Sequence, residues 1–224
     1  MEGESDEEIC RRLACVDSSA EIIFLRPTLN ADFGITMFAV GAVAEPSYIS
    51  GAVCVAYYLG CICGLPLAEY EIETPTGTRK VMLNGDKTEI NIKNCKYLFT
   101  KTAEMPDGSN MEYSKLYLDE PYAVARCELF PLRDKGGLGA SLCRAANARA
   151  AVFLVPSGRI EVYTEAGYAP LADARAAAAV CLLGMLGGSG ECKVSLGDDE
   201  VILSRRLLGI SAVCSPHIVC RGEI

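Results

Sequence analysis

The stretch from Ala174 to Leu186, ARAAAAVCLLGML, is the part of the sequence that decides the fold. It contains one charged residue, Arg175, follows an aspartate that can cap a helix, and ends before Gly187. These are start and stop signals of a helix. Because a helix that is apolar on every face has to be surrounded by protein, the sequence predicts that other elements wrap this one.

A second stretch has the same character. Residues Gly51–Ile62, GAVCVAYYLGCI, follow Ser50, which we interpret as a helix cap, and precede Gly64. The chain is therefore predicted to contain two buried central helices. The elements that surround them are predicted to be β-strands.

Strand patterns follow the first helix. Tyr70–Ile72, Arg79–Leu83 and Thr88–Ile92 are predicted strands, and Asn84-Gly85 between the last two is typical of a hairpin turn. After the second helix, Lys193–Leu203 repeats the order of lysine, valine, leucine, acidic glycine-containing turn and strand. Each half thus has the same order of helix, glycine, strand, turn and strand, which predicts an internal duplication.

The predicted fold class is α+β, with two pseudo-symmetric domains. Each is expected to be a mainly antiparallel β-sheet or barrel wrapped around a central apolar helix. We expect domains at 1–118 and 119–224, with about 213–224 returning to the first domain. A polar turn or linker is predicted at Pro106–Asn110, and a glycine-rich loop at Lys135–Gly139.

Composition excludes several classes of function. The net charge of -8 and the pI near 4.8 argue against nucleic-acid binding and membrane-surface binding. No apolar stretch is long enough to span a bilayer, and residues 1–8 are acidic, so we expect a cytoplasmic protein without an export signal.

The 12 cysteines form no C-x-x-C pair, and His217 is the single histidine. We therefore expect no metal site and interpret most cysteines as small buried hydrophobic residues. Because the sequence contains neither a P-loop nor a G-x-G-x-x-G that opens a helix, no cofactor is expected.

Two segments resemble the motifs of diaminopimelate epimerases and their relatives, the proline racemases, phenazine-biosynthesis isomerases and methylaconitate isomerases. Val162–Gly167 followed by Leu171–Ala177 is similar to Val-Tyr-Glu-Arg-Gly and Leu-Ala-Cys-Gly-Thr-Gly-Ala, with Asp173 in the place of cysteine. The segment Tyr48–Ala52 resembles Cys-Gly-Asn-Gly-Ala, with Tyr48 in the place of the other cysteine. The resemblance implies that both catalytic thiols are replaced.

Three further segments extend the resemblance over most of the chain. Glu120–Val124 is similar to Gly-Asn-Pro-His-Ala-Val, and Ser215–Glu223 is similar to the closing Gly-Pro-Ala strand that ends in Gly-Glu. Residues Glu7–Leu13 resemble the helix that follows the family's first strand, so we expect that strand to be missing. An open sheet edge is therefore expected, covered by a second copy of the chain or by another partner.

The family inverts a carbon beside a carboxylate with two cysteines, at helix N-termini that bind the substrate carboxylate. By resemblance, Asp173 is either an acid–base residue or only a helix cap, and Tyr48 is either a proton donor or a packing residue. Arg175 is either an exposed charge or part of an anion site with the amides of the first helical turns. Those amides include Ser50, Gly51 and Ala174.

Two departures concern the substrate. Glu165 stands where the resemblance places a substrate-binding arginine, which reverses the charge. Asn147 resembles a substrate-binding asparagine but is also a typical turn residue.

Two functions remain open. One is a diverged protein without two-cysteine racemase chemistry that binds a small anionic or amino-acid ligand, or a protein, in the interdomain cleft. The other is a cofactor-independent isomerase that uses Asp173 as acid or base.

Overall fold

A computed structural model describes residues 5–13, 21–39, 48–65, 67–118, 120–126, 135–154, 159–165, 167–168, 174–185, 191–196, 199–206 and 209–216. Its helices are α1 (Asp6–Leu13), α2 (Tyr48–Tyr57), α3 (Lys135–Ala146) and α4 (Ala174–Met185), and α2 continues as a π-helical turn over Tyr58–Ile62. The strands are β1 (Glu21–Arg26), β2 (Phe33–Ala39), β3 (Glu69–Thr74), β4 (Gly77–Asn84), β5 (Lys87–Lys93), β6 (Cys95–Glu104), β7 (Asn110–Leu118), β8 (Pro121–Arg126), β9 (Ala150–Leu154), β10 (Arg159–Thr164), β11 (Gly167–Tyr168), β12 (Glu191–Leu196), β13 (Asp199–Arg206) and β14 (Gly209–Cys214).

The strands follow one hydrogen-bonded path in the order β1-β2-β3-β4-β5-β14-β13-β12-β10-β9-β8-β7-β6, and β11 pairs with β10. Around the β5–β14 pair, the first five strands on each side follow a symmetric order, and β8, β7 and β6 extend the second side. The series α1-β1-β2-α2-β3-β4-β5 matches α3-β9-β10-α4-β12-β13-β14. In both series the strand before the central helix is parallel to the strand after it (β2 with β3, β10 with β12), and the other pairs are antiparallel. The fold is therefore α+β, with one continuous sheet whose two pseudo-symmetric halves each surround one apolar helix.

The two central helices share one hydrophobic core. Ala176 to Ala179 and Cys181 of α4 are fully buried, and Ile49, Ala52 and Ala56 of α2 lie in the same cluster. A smaller core lies between α3 and strands β6 to β10. The predicted helix at 174–186 is confirmed almost residue for residue.

The first central helix differs from its prediction in two ways. It begins at Tyr48, because Tyr48 and Ile49 also pack on the core, so Ser50 lies in its first turn and is not the residue that caps it. It is also not buried on every face, since Cys54, Tyr58 and Cys61 are exposed. These residues recur at spacings of four and three and so form one stripe along the helix.

The predicted hairpins are present. The strands expected at 70–72, 79–83 and 88–92 are β3, β4 and β5, and Gly85, with φ of +65°, is the first of two loop residues between Asn84 and Lys87. A glycine there suits a two-residue loop of type II′. The expected repeat at 193–203 forms the antiparallel pair β12–β13.

The glycine-rich segment at 135–139, predicted as a loop, is instead the first part of α3. One of its glycines, Gly139, serves close packing rather than a turn. A Cβ at Gly139 would lie 2.3 Å from the Cβ of Tyr163, so only glycine lets α3 approach β10 this closely.

Backbone pairing continues across the expected domain boundary at 118, because β7 pairs with β8. The turn predicted at 106–110 connects β6 and β7. At the other end of the chain, β14 pairs with β5, with Val213 opposite Glu89. Among the described residues, no helix is long and apolar enough to cross a membrane.

Candidate functional site

The first turn of α2 lies directly on the sheet. Tyr48 is half-buried and packs on the main core, and Gly51 is buried. A Cβ added to Gly51 would lie 2.3 Å from Sδ of Met37 and 3.6 Å from Cδ1 of Ile23. Gly51 therefore lets the start of α2 rest against β1 and β2.

The first turn of α4 occupies the matching position in the second half. Its backbone begins at Ala174, so Arg175 is the second helical residue. The residues that follow, Ala176 to Ala179, are fully buried. Asp173, the candidate acid–base residue, directly precedes this helix in the sequence and lies outside the described residues.

The two helix starts share one electrostatic feature. Neither α2 nor α4 has an acidic residue in its first turn, and the two helices contact each other within the shared core. The unpaired N–H groups of a helix N-terminus carry a partial positive charge that favours anions. Tyr48, Ser50, Gly51, Ala174 and Arg175 are thus divided between two similar helix starts.

Asn147 has a structural role at the end of α3. Its backbone is left-handed, with φ of +45°. Its N–H donates to the carbonyl oxygen of Arg144 (3.1 Å), and the N–H of Ala148 donates to the carbonyl oxygen of Cys143 (2.9 Å). This is the Schellman arrangement that ends a helix, and asparagine tolerates its left-handed position. The Nζ of Lys115 donates to the carbonyl of Asn147 (3.1 Å), which completes the cap.

Glu165 is exposed in the turn between β10 and β11. Burial raises the pKa of the neighbouring Cys143 to about 11, and the negative charge of Glu165 adds to the increase. Glu165 therefore lies near α3. The structure associates both Asn147 and Glu165 with α3, and their ligand-binding roles stay predictions.

No group of three or more histidine, cysteine, aspartate or glutamate side chains in the described part of the chain is arranged to hold a metal ion. The chemistry that the helix starts offer is backbone N–H donation to an anion, together with the phenol of Tyr48.

A polar groove was not predicted. We call it the seam groove; it lies mainly on the outer face of β3, β4 and β5 and reaches β14 at Ser211, and its volume is about 790 Å³. Its lining includes Glu71, Lys80, Glu89, Asn91, Lys93 and Ser211. The alternation of polar residues at 89, 91 and 93 marks an outward sheet face in the sequence. The groove also needs side chains of β3 and β4 and Ser211 of β14, which pairing of the strands brings together.

Comparisons with known proteins agree with this architecture. No protein-family model matches the sequence, and the comparison with curated proteins also gave no match. Solved structures do match. A putative phenazine biosynthesis PhzC/PhzF protein from Clostridium difficile is similar over 100% of this chain and 90% of its own, with a TM-score of 0.73 and 9% identity.

Two other matches are named as epimerases. A predicted epimerase from Pseudomonas aeruginosa has a TM-score of 0.69 at 11% identity, over 100% of this chain and 90% of its own. A hydroxyproline epimerase from Agrobacterium vitis, with bound trans-4-hydroxy-L-proline, has a TM-score of 0.60 at 12% identity, over 87% of this chain and 72% of its own. At these identities the similarity concerns the fold: the chain has the diaminopimelate epimerase-like fold.

Proposed function

We propose that this protein binds a small carboxylate, such as an amino acid, between the starts of α2 and α4 without two-cysteine racemase chemistry. The observation that carries the proposal is the composition of the two helix starts. Tyr48 is the first residue of α2, Asp173 directly precedes α4, and neither first turn contains a cysteine or a carboxylate. The helix starts thus keep backbone N–H groups suited to an anion, while both thiols are missing.

The physics of a helix start supports a carboxylate ligand. Backbone N–H groups at an N-terminus attract an anion with about 0.3–1 kcal/mol when exposed, and with up to about 2 kcal/mol when partly buried. The first turn of α2 is partly buried, with Ile49 at 1% exposure and Gly51 buried. Arg175, in the first turn of α4, adds a cation that can pair with the same carboxylate.

Binding is tested by titrating ¹⁵N-labelled protein with trans-4-hydroxy-L-proline, L-proline and diaminopimelate, while backbone amide shifts are followed by NMR. We expect the ligand to shift the amide signals of the first turns of α2 and α4. Arg175→Gln should weaken the binding affinity several-fold. The matched control is Arg144→Gln, which removes an exposed arginine from the last turn of α3. The proposal is wrong if Arg175→Gln binds every ligand as the wild type does.

A second candidate function is an active isomerase with Asp173 as acid or base. It is favoured by the ionisable residue in front of α4 and by the similarity to structures named as epimerases. The alternative role of Asp173 is capping, and the two roles can be separated because asparagine caps a helix about as well as aspartate. Asp173→Asn keeps the cap and removes the proton transfer, whereas Asp173→Ala removes both.

The reaction test is deuterium wash-in from heavy water, observed as the loss of the C–H signal beside the carboxylate. An acid–base role predicts exchange in the wild type and none in Asp173→Asn, with thermal stability unchanged. Glu112→Gln serves as a control for loss of an exposed carboxylate, because Glu112 lies on β7 and is not among the candidate site residues. Equal exchange in wild type and Asp173→Asn would exclude the acid–base role.

We also propose that the protein is a cytoplasmic homodimer in which a second copy covers the outer edge of β1. Within the described part of the chain, β1 pairs only with β2. Open edges of this kind are usually covered. A monomer by light scattering at micromolar concentration would contradict this proposal.

A further inference from the structure

The seam groove lies on the outward face of the sheet, opposite to the buried helices. On β5, Thr88, Ile90 and Ile92 are buried in the core, so the alternate residues Glu89, Asn91 and Lys93 point the other way. In the ladder, Asn91 pairs with Ser211 of β14, which joins the two halves of the molecule. The groove therefore lies mainly on the first half, reaches the second half at Ser211, and is separate from the helix starts.

Its floor is shielded from solvent although it lies on the outer face. Ser211 is 2% exposed, and its Oγ donates to the carboxylate of Glu89. Oδ1 of Asn91 is buried and accepts no hydrogen bond in the described part of the chain. A buried acceptor without a donor is unfavourable and rare in native proteins, and a bound N–H or O–H group would satisfy it.

Two lysines along the groove differ in whether they form ion pairs. The Nζ of Lys80 lies 2.5 Å from a carboxylate oxygen of Glu71 and 2.9 Å from one of Glu69, so this cation is already neutralised. Lys93, at the end of β5, forms no ion pair within the described ranges. A cation is thus available on the same strand face as the unsatisfied acceptor.

The spacing of these groups defines the ligand. Asn91 and Lys93 are two residues apart on one face, which corresponds to roughly 6.6 Å along the strand. One end of the site accepts hydrogen bonds, through Asn91 and the carboxylate of Glu89, and the other end carries a positive charge. We propose that the seam groove binds a small zwitterion of amino-acid size, with its ammonium at Asn91 and Glu89 and its carboxylate at Lys93.

Two substitutions test the two ends separately. Lys93→Gln removes the exposed cation without touching the core. Asn91→Leu removes the acceptor with little change in shape. The matched control is Lys87→Gln, because Lys87 is an exposed lysine on the same face of β5 but outside the groove.

The probes are the standard L-amino acids, titrated to about 10 mM into ¹⁵N-labelled protein, which is tenfold above a millimolar Kd. L-proline is compared with pyrrolidine and acetate, which each carry only one of its two charges. We expect at least one amino acid to shift the amides of β5 and β14, and Lys93→Gln and Asn91→Leu to weaken this binding about tenfold. Lys87→Gln should bind as the wild type does.

Three results would overturn the proposal. One is that no amino acid shifts the amides of β5 and β14. Another is that Lys93→Gln binds like Lys87→Gln. The third is that pyrrolidine or acetate binds as tightly as L-proline. Shifts restricted to the first turns of α2 and α4 would refute the groove site while supporting ligand binding at the helix starts, so the two proposals fail separately.

Discussion

Gly209 is the residue at which the junction between the two halves is most sensitive to a single added carbon. It is the first residue of β14, pairs with Lys93 of β5, and has a φ of +155°. A Cβ at this position would lie 2.2 Å from the carbonyl oxygen of Ile92 and 2.9 Å from Oδ1 of Asn91. We predict that Gly209→Ala lowers the free energy of unfolding strongly.

Two effects contribute to the expected loss of unfolding free energy in Gly209→Ala. The backbone conformation is disfavoured for any residue with a side chain, at a cost of about 1–3 kcal/mol. The contact with Ile92 involves a backbone oxygen within the sheet, which cannot turn away, and overpacking of this kind costs about 1–3 kcal/mol more. The expected loss is therefore about 2–6 kcal/mol, a large fraction of the stability of a typical domain.

Urea unfolding followed by circular dichroism measures this loss, and Gly85→Ala is the matched control. Gly85 also has a positive φ, +65°, but an added Cβ there meets no atom within 4 Å. Gly85→Ala should lose only about 1–2 kcal/mol, from the backbone term alone. If the two variants unfold within about 0.5 kcal/mol of each other, the close approach of β14 to β5 is refuted.

Lys115→Met should lower the free energy of unfolding by about 1.5–3 kcal/mol, measured against Lys96→Met, because Nζ of Lys115 donates to two carbonyls at the end of α3. Burial raises the pKa of Cys143 from an ordinary value of 9.0 to about 11, so its neutral thiol stabilises the fold below pH 9.0. The free energy of unfolding, measured with urea, should therefore fall as the pH rises from 9.0 to about 11. In Cys143→Ala it should fall less steeply with pH, and an unchanged slope would refute the role of Cys143. A thiol reagent should label the exposed Cys61 and Cys63 in the native protein but reach the fully buried Cys181 only in urea, and native labelling of Cys181 would contradict its burial.

The sequence predicts the helices and hairpins well because their signals are local. An apolar run from 174 to 186 can be satisfied only by burial, and a glycine after Asn84 suits a tight turn. The same locality explains the error at 135–139. Glycines favour a loop in isolation, but Gly139 is required by the approach of α3 to Tyr163, a contact that local sequence does not reveal.

The candidate site is predictable only in part, for the same reason. The position of Arg175 in the first turn of a helix follows from helix signals, whereas Tyr48 is expected from the sequence to precede a helix that starts at Gly51 and is instead its first residue. The contacts of Asn147 depend on α3 and on Lys115, which is 32 residues away in the chain. The seam groove combines side chains of β3, β4 and β5 with Ser211 of β14, whose hydrogen bond to Glu89 joins residues 122 positions apart in the chain.

The exposed stripe on α2 follows from a difference between the two halves. In the second half, β9 has β10 on one side and β8 on the other, and β7 and β6 continue the sheet beyond β8. The corresponding strand of the first half, β1, pairs only with β2 among the described residues. The first half therefore offers fewer strands to its helix.

The helices reflect this difference in surrounding strands. α4 contacts β6, β7, β8 and β9 as well as β12, β13 and β14, and the side chains described for Ala176 to Cys181 are all buried. α2 packs mainly on β2 to β5, and Cys54, Tyr58 and Cys61 remain exposed. An apolar helix surface of this kind is stabilised when it is covered. The exposed stripe on α2 and the open edge of β1 both belong to the half with the shorter sheet, so one added element along β1 would cover both. If a second copy supplies that element, Cys54 and Cys61 should react more slowly with thiol reagents as the protein concentration rises.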